Sequence, residues 1–172
     1  MPRVLFICCV LSLILLFNLQ KAFACSGYKT KLHYLENCDS NSVIKVDKNF
    51  TVELTRDCHI VVYGCIQTIG FQKANLKATI SKNGMVIHRI ETNLCDTMSQ
   101  ASEEARSYLR LFGLPEKCPV DAGQNCQDAS KRADISKYKR YLALARGLIQ
   151  VEARIEHENG KTCIKAETEI TK

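Results

Sequence analysis

Ten cysteines and four histidines are the residues whose types and spacing could do chemistry in this chain of 172. Cys8 and Cys9 fall in an apolar N-terminal run, which leaves Cys25, Cys38, Cys58, Cys65, Cys95, Cys118, Cys126 and Cys163. Eight thiols can close four disulfides or hold zinc. Cysteine zinc sites use close pairs such as C-x-x-C, and the chain has none, while His33, His59, His88 and His157 are scattered. Structural disulfides are therefore the expectation, and no metal site is. An even count permits roughly a hundred connectivities. Cys58 and Cys65 sit in one apolar stretch at odd separation, on opposite faces of a regular strand, so a bond between them needs a bulge or turn.

Catalytic chemistry finds little to work with. A secreted phospholipase needs a histidine base beside a calcium loop. Asp57-Cys58-His59 is a faint echo of that, with no glycine-rich loop before it and no second histidine–aspartate constellation. The nucleophile elbow G-x-S-x-G is missing. His59 and His157 could form an acid–base pair as in secreted ribonucleases, but His157, between Glu156 and Asn159-Gly160, reads more simply as a turn residue. The expectation is a non-enzyme without a cofactor.

The N-terminus fits that setting. Arg3 precedes the apolar stretch Val4–Phe17, and Ala22-Phe23-Ala24 gives signal peptidase its A-x-A pattern, so residues 1–24 read as a signal peptide and Cys25 as the mature start. An uncleaved anchor is the competing reading, since the stretch is not much shorter than a membrane span, but Asn18, Gln20 and Lys21 end it. A bacterial lipobox would also place a cysteine here; the sequon Asn49-Phe50-Thr51, a glycosylation site at Asn49, fits a eukaryotic secretory route better. Removing 24 of 172 residues leaves 148, enough for one domain with a real core. The formal charge of +6 loses Arg3 and Lys21 and falls to +4, too weak to argue for nucleic acid and compatible with anionic lipid surfaces or plain solvation.

The elements that must position these residues are mostly strands. Phe50, Val52 and Leu54 alternate within 43–54, and Cys58–Cys65 is apolar on both faces, as a strand buried on each side would be. Ala74, Leu76, Ala78 and Ile80 alternate up to Asn83-Gly84, a type I′ turn signal, and the chain returns through Met85–Leu94. Ile149, Val151, Ala153 and Ile155 repeat the pattern, then Asn159-Gly160 turns the chain into Ile164, Ala166, Thr168 and Ile170. The fold is predicted to be antiparallel all-β. One segment departs from it: across Ser99–Phe112, Ala101, Ala105, Tyr108, Leu109 and Phe112 recur at helical spacing until Gly113 and Pro115 stop them. Asp134–Arg146 fits a helix, a strand or a cavity rim.

Several short motifs resemble one family. Gly147–Ile155, a glycine-containing turn and Thr162-Cys163-Ile164-Lys165-Ala166 look like the last hairpin of ML (MD-2-related lipid-recognition) domains. Phe112-Gly113-Leu114-Pro115 followed by Cys118-Pro119-Val120 resembles the "YGLP…CPF" segment of the ganglioside activator-like branch, and Leu94-Cys95-Asp96 and Asn37-Cys38-Asp39 are similar to its other cysteine motifs. The resemblance spans about residues 35–170. It implies an immunoglobulin-like antiparallel β-sandwich with one short helix near 99–112, opened between the layers into a lipid-binding cup. It also implies the pairs Cys38–Cys163 and Cys95–Cys118, leaving Cys25, Cys58, Cys65 and Cys126 unassigned.

A lipid tail gains about 0.8 kcal/mol for each methylene moved out of water, so an apolar cavity binds one without catalysis. Ile60, Val62, Leu76, Ile80, Leu109, Phe112, Ile149 and Val151 are the candidate walls; the alternative is that they fill an ordinary core. Arg110, Lys117 or Lys139 could meet an anionic headgroup or could equally be solvated. Two functions follow: a secreted carrier that transfers or presents a lipid, sterol or glycolipid, or a secreted disulfide-rich sandwich with a filled core that binds a protein through its loops. The partners expected are the lipid, a transient membrane surface and a protein acceptor. The destination is extracellular, or lysosomal, since both routes begin with such a leader.

Overall fold

The computed structural model describes residue 25 and residues 27–172, so the leader expected at 1–24 lies outside the described residues. Two antiparallel sheets form an immunoglobulin-like sandwich. The larger runs in the order β1 (Lys29–Asn37), β10 (Gly160–Thr171), β9 (Gly147–His157), β5 (Ala74–Lys82), β6 (Met85–Asn93). Its alternating residues meet across strands: Leu76 faces Ile155, Ala78 faces Ala153 and Ile80 faces Val151, and Ala153 and Val151 continue to Ile164 and Ala166. Directly opposed pairs of this kind stabilise a sheet and fix its register.

The turns differ in how they are made. Asn83 and Gly84 both take positive φ, 50° and 81°, the type I′ geometry that matches strand twist. In the second hairpin Glu158 and Asn159 form the loop and Gly160 already opens β10, one residue earlier than Asn159-Gly160 implies. The physical reason lies outside the turn. The Glu158 carboxylate accepts the backbone N–H groups of Gln72 and Lys73 at 2.6 and 2.8 Å, and Asn159 donates to the Gly70 carbonyl at 2.7 Å.

The smaller sheet is built on β4 (His59–Thr68). β2 (Ile44–Val46) and β3 (Thr51–Leu54) share one of its edges, and β7 (Gly123–Gln127) and β8 (Arg132–Asp134) share the other. This central place explains the apolar residues on both faces, with Val61 and Val62 buried. The stretch 43–54 is two strands rather than one, because Phe50 N–H donates to the Asp47 carbonyl at 3.1 Å and the turn sends Phe50 into the core. Gly64 lets it pack there: a Cβ on Gly64 would lie 2.7 Å from Phe50 Cα.

The helical segment contains α1 (Leu94–Ser99) and α2 (Glu103–Leu111). Asn93 and Ser102 cap them, accepting from the N–H groups of Asp96 and Ala105, so the helix expected across 99–112 starts at Glu103 as α2, and α1 precedes it. Residues 134–146 resolve into the end of β8, a 3₁₀ turn at Ser136–Tyr138 and α3 (Lys139–Leu142).

Disulfides tie these pieces together. Cys38–Cys163 joins β1 to β10, and Cys95–Cys118 joins α1 to the loop after α2. Cys58 and Cys65 bond to neither each other nor one face: Cys25–Cys58 fastens the start of the described chain and Cys65–Cys126 crosses from β4 to β7. The buried apolar residues form three clusters, around Val43, Phe71 and Ile155, around Phe50, Val62 and Leu111, and around Cys58 and Ile135, bridged by half-buried Ile66, Ile60 and Tyr108.

Candidate functional site

A cleft of about 1400 Å³ opens between α2 with its following loop and the inner face of the smaller sheet. Antiparallel pairing puts Ile44 opposite Thr68 and Ile66 opposite Asn125 on that face, and all four line the cleft, as does Phe71. Helical geometry brings Glu104, Ser107, Tyr108 and Leu111 to one side of α2, where they form a wall. Leu114, Pro115, Pro119 and Val120 continue it.

The loop that carries those residues is held at few points. Gly113, with φ 71°, ends α2. Phe71 and Val120 exchange two backbone hydrogen bonds of 2.9 and 2.8 Å, and Cys118 is bonded to Cys95. Asn125 donates to the Gly113 carbonyl at 3.3 Å, and buried Gln127 donates to Asn125 Oδ1 at 2.9 Å. These contacts aim Leu114 and Val120 at the β4 face without burying them completely.

Charge gathers at the mouth. Arg110 ties α2 to the loop, donating to Glu103 and, at 2.8 Å, to Glu116. Its guanidinium holds the Glu103 carboxyl below the usual range. Glu104 accepts from Lys137 and from the Tyr138 hydroxyl, which likewise lower its pKa. Lys117, Lys131 and Arg132 also line the opening. The result is an apolar floor beneath a rim with more cations than carboxylates, suited to an apolar chain with a polar or anionic end.

The residues expected from sequence are placed otherwise. None of Ile60, Val62, Leu76, Ile80, Leu109, Phe112, Ile149 and Val151 lines the cleft. Val62 is fully buried with Phe50 and Leu111, and Phe112 and Ile60 pack on the same cluster. Leu76 packs beside Ala74 and Ile155. Ile80, Ile149 and Val151 lie half-buried on the inner face of the larger sheet and Leu109 is half-buried on α2, all four outside the three clusters. Of the three headgroup cations, Arg110 and Lys117 stand at the mouth, while Lys139 belongs to a smaller groove with Tyr28, Arg140 and Lys172. The missed residues had a signal: Leu114 and Val120 are apolar side chains in a Gly- and Pro-marked loop beside a cysteine.

The other sequence-marked groups have plain partners. His59 pairs with Asp57 at 3.1 Å, whereas His157 stacks on Phe71 and meets Thr162 Oγ1 at 3.1 Å, so the two share no partner. Among the described residues no group of three His, Cys, Asp or Glu is placed to hold a metal. Asn49 lies exposed on the turn before β3.

No known family profile matches the chain. A solved structure of chicken MD-1 complexed with lipid IVa is similar over 80% of this chain and 96% of that one, with 11% identity and a TM-score of 0.34. The sporozoite-associated mosquito saliva protein 1 of Anopheles gambiae is 32% identical over 165 residues, which cover 94% of this chain and 91% of that protein. The chain belongs to the family of that mosquito saliva protein.

Proposed function

We propose that this is a secreted lipid-binding protein of the ML type that holds an apolar chain in the cleft between α2, its loop and the β4 face. The observation that carries the reading is an apolar floor of Ile44, Ile66 and Phe71 under a wall of Leu111, Leu114 and Val120, opening at Arg110 and Lys117. Each methylene buried there contributes about 0.8 kcal/mol, enough for an acyl chain without any reacting group. Four disulfides and a relative named for saliva support secretion. Cleavage after Ala24, a single domain over 25–172 and a glycan at Asn49 belong to this reading. So does the finer assignment to the ganglioside activator-like branch, which rests on the Phe112–Pro115 and Cys118–Val120 motifs. Phospholipid, sterol and glycolipid remain the ligand classes, for transfer or for presentation to a protein acceptor.

A filled sandwich acting through its loops has one observation in its favour, the inward packing of Ile60, Val62 and Phe112. Native mass spectrometry of the protein from a eukaryotic secretion host, followed by organic extraction, separates the two. A stoichiometric lipid adduct supports the carrier. A clean apo mass, with no uptake of offered phospholipid, sterol or glycolipid, supports the filled sandwich.

A further inference from the structure

Exposed apolar side chains collect at one place outside the cleft, where the β5–β6 turn meets the chain leading into β9. Met85, Val86, Ile87 and Leu144 are 71%, 50%, 58% and 72% exposed. The two segments are fastened side by side. Lys82 Nζ donates to the Leu144 carbonyl at 2.6 Å, Asn83 N–H donates to the Leu148 carbonyl at 2.8 Å, and Leu148 N–H donates to Asn83 Oδ1 at 2.9 Å. Scattered exposed aliphatics need no explanation, but Met85, Val86 and Ile87 are consecutive at the start of β6, and Leu144 lies on the segment that Lys82 and Asn83 hold at the same end of β5.

The chain beside the patch is basic. Residues 137–146 read Lys-Tyr-Lys-Arg-Tyr-Leu-Ala-Leu-Ala-Arg, four cations and no acid. Glu104 offsets Lys137. Arg140 lies over the Tyr141 ring at 4.8 Å, and Lys82 donates to a neutral carbonyl. Tyr138 and Tyr141 are 37% and 47% exposed, with rings 6.5 Å apart. Aliphatic tips, tyrosines and long cationic side chains together match the depth profile of a bilayer interface: acyl boundary, headgroup level and anionic surface. Pairing of β6 with another strand fits less well, because its register slips beside Ile80 and Ser81, and a bulge interrupts an edge as a template.

We propose that this end of the protein docks on membranes rich in anionic phospholipid, with Leu144, Met85 and Ile87 entering the interface and Arg140 and Arg146 on the headgroups. The docking does not depend on a ligand in the cleft.

The chain has no tryptophan, so Leu144→Trp installs a single reporter. With phosphatidylcholine vesicles holding roughly a third phosphatidylserine, its emission should shift to the blue. The shift should be absent with phosphatidylcholine alone and should fade near 1 M salt, where the Debye length is about 3 Å. In the otherwise natural chain, Arg140→Glu with Arg146→Glu should weaken co-sedimentation at least roughly tenfold, and Leu144→Glu should weaken it as well. Equal binding to both vesicle types, or binding unchanged in these variants, would overturn the proposal. So would self-association abolished by Met85→Glu without vesicle binding, which would assign the patch to a second copy. Lipid adducts in native mass spectrometry should persist in the Arg140/Arg146 variant, so loss of docking and loss of the carrier reading are told apart.

Discussion

Replacing Leu114 with Glu tests the location of the ligand. Leu114 is half-buried, lines the cleft and belongs to none of the three core clusters, so the substitution should leave folding nearly intact. It removes an apolar contact worth about 1.5–3 kcal/mol when covered and places a carboxylate where the ligand would strip its water, at a further cost of about 1–3 kcal/mol. Arg110 and Lys117 at the same mouth offset part of that, leaving about 3 kcal/mol, or about 150-fold in affinity. Leu114→Ala keeps Cβ and should lose only part of the first contribution, about 1.4–2 kcal/mol, or about tenfold to thirtyfold. The assay is displacement of a fluorescent acyl probe, with thermal unfolding as the folding control. Ile149→Glu supplies the contrast, because Ile149 lies on the larger sheet outside the cleft. If Ile149→Glu abolishes uptake and Leu114→Glu does not, the ligand lies between the sheets against Ile80, Ile149 and Val151, and the cleft assignment is refuted.

Gly64→Ala must hold φ near 109° and push Cβ to 2.7 Å from Phe50 Cα. Strain and overpacking together predict a loss of about 2–4 kcal/mol, or roughly 5–15 °C in melting temperature; an unchanged melting curve contradicts the close approach. Cys65–Cys126 closes a sequence separation of 61, for which the chain-entropy relation gives about 4 kcal/mol. Replacing both cysteines with Ala should lower unfolding free energy in urea by up to that amount, and a change below about 1 kcal/mol would mean β7 is held mainly by its ladder. Burial lowers the pKa of His157, with Glu158 opposing. The unfolded chain therefore takes up a proton near pH ~6.5 that the folded chain refuses. Stability should fall as pH drops from about 6.5 through the lower folded value, and His157→Gln should flatten that part of a melting-temperature series.

Much of the architecture was legible because period-two patterns encode one face directly. The alternation at 74–80 and 149–155 became facing strands in one sheet, and the apolar 58–65 stretch became the centre of the other. Helix α1 and the exact start of α2 were not legible from apolar spacing, since both starts are set by the capping side chains of Asn93 and Ser102. The cleft was harder still. A periodic residue such as Val62 or Leu76 is periodic because it packs against its own sheet's neighbours, and that favours core. A cavity wall needs apolar residues that escape such packing, and these lie where no period exists, as Leu114 does.

That distinction bears on how such a site can work. Helix α2 is anchored by Leu111 and Phe112 in the Phe50 and Val62 cluster, while the loop beyond it is held by one two-bond bridge, one disulfide, the Asn125 contact and the Arg110–Glu116 pair. The floor is a sheet face fixed by continuous ladders; the wall is a loop with few backbone bonds. Local opening free energy follows the density of such contacts, so the wall can move at far lower cost than the floor. The Cys95–Cys118 bond, itself packed on the Val43 and Phe71 cluster, limits how far it moves. Val120 already packs on the Phe71 cluster; a loop packed tightly enough to need no disulfide would have brought Leu114 down against the sheet as well and left no room for a chain between them.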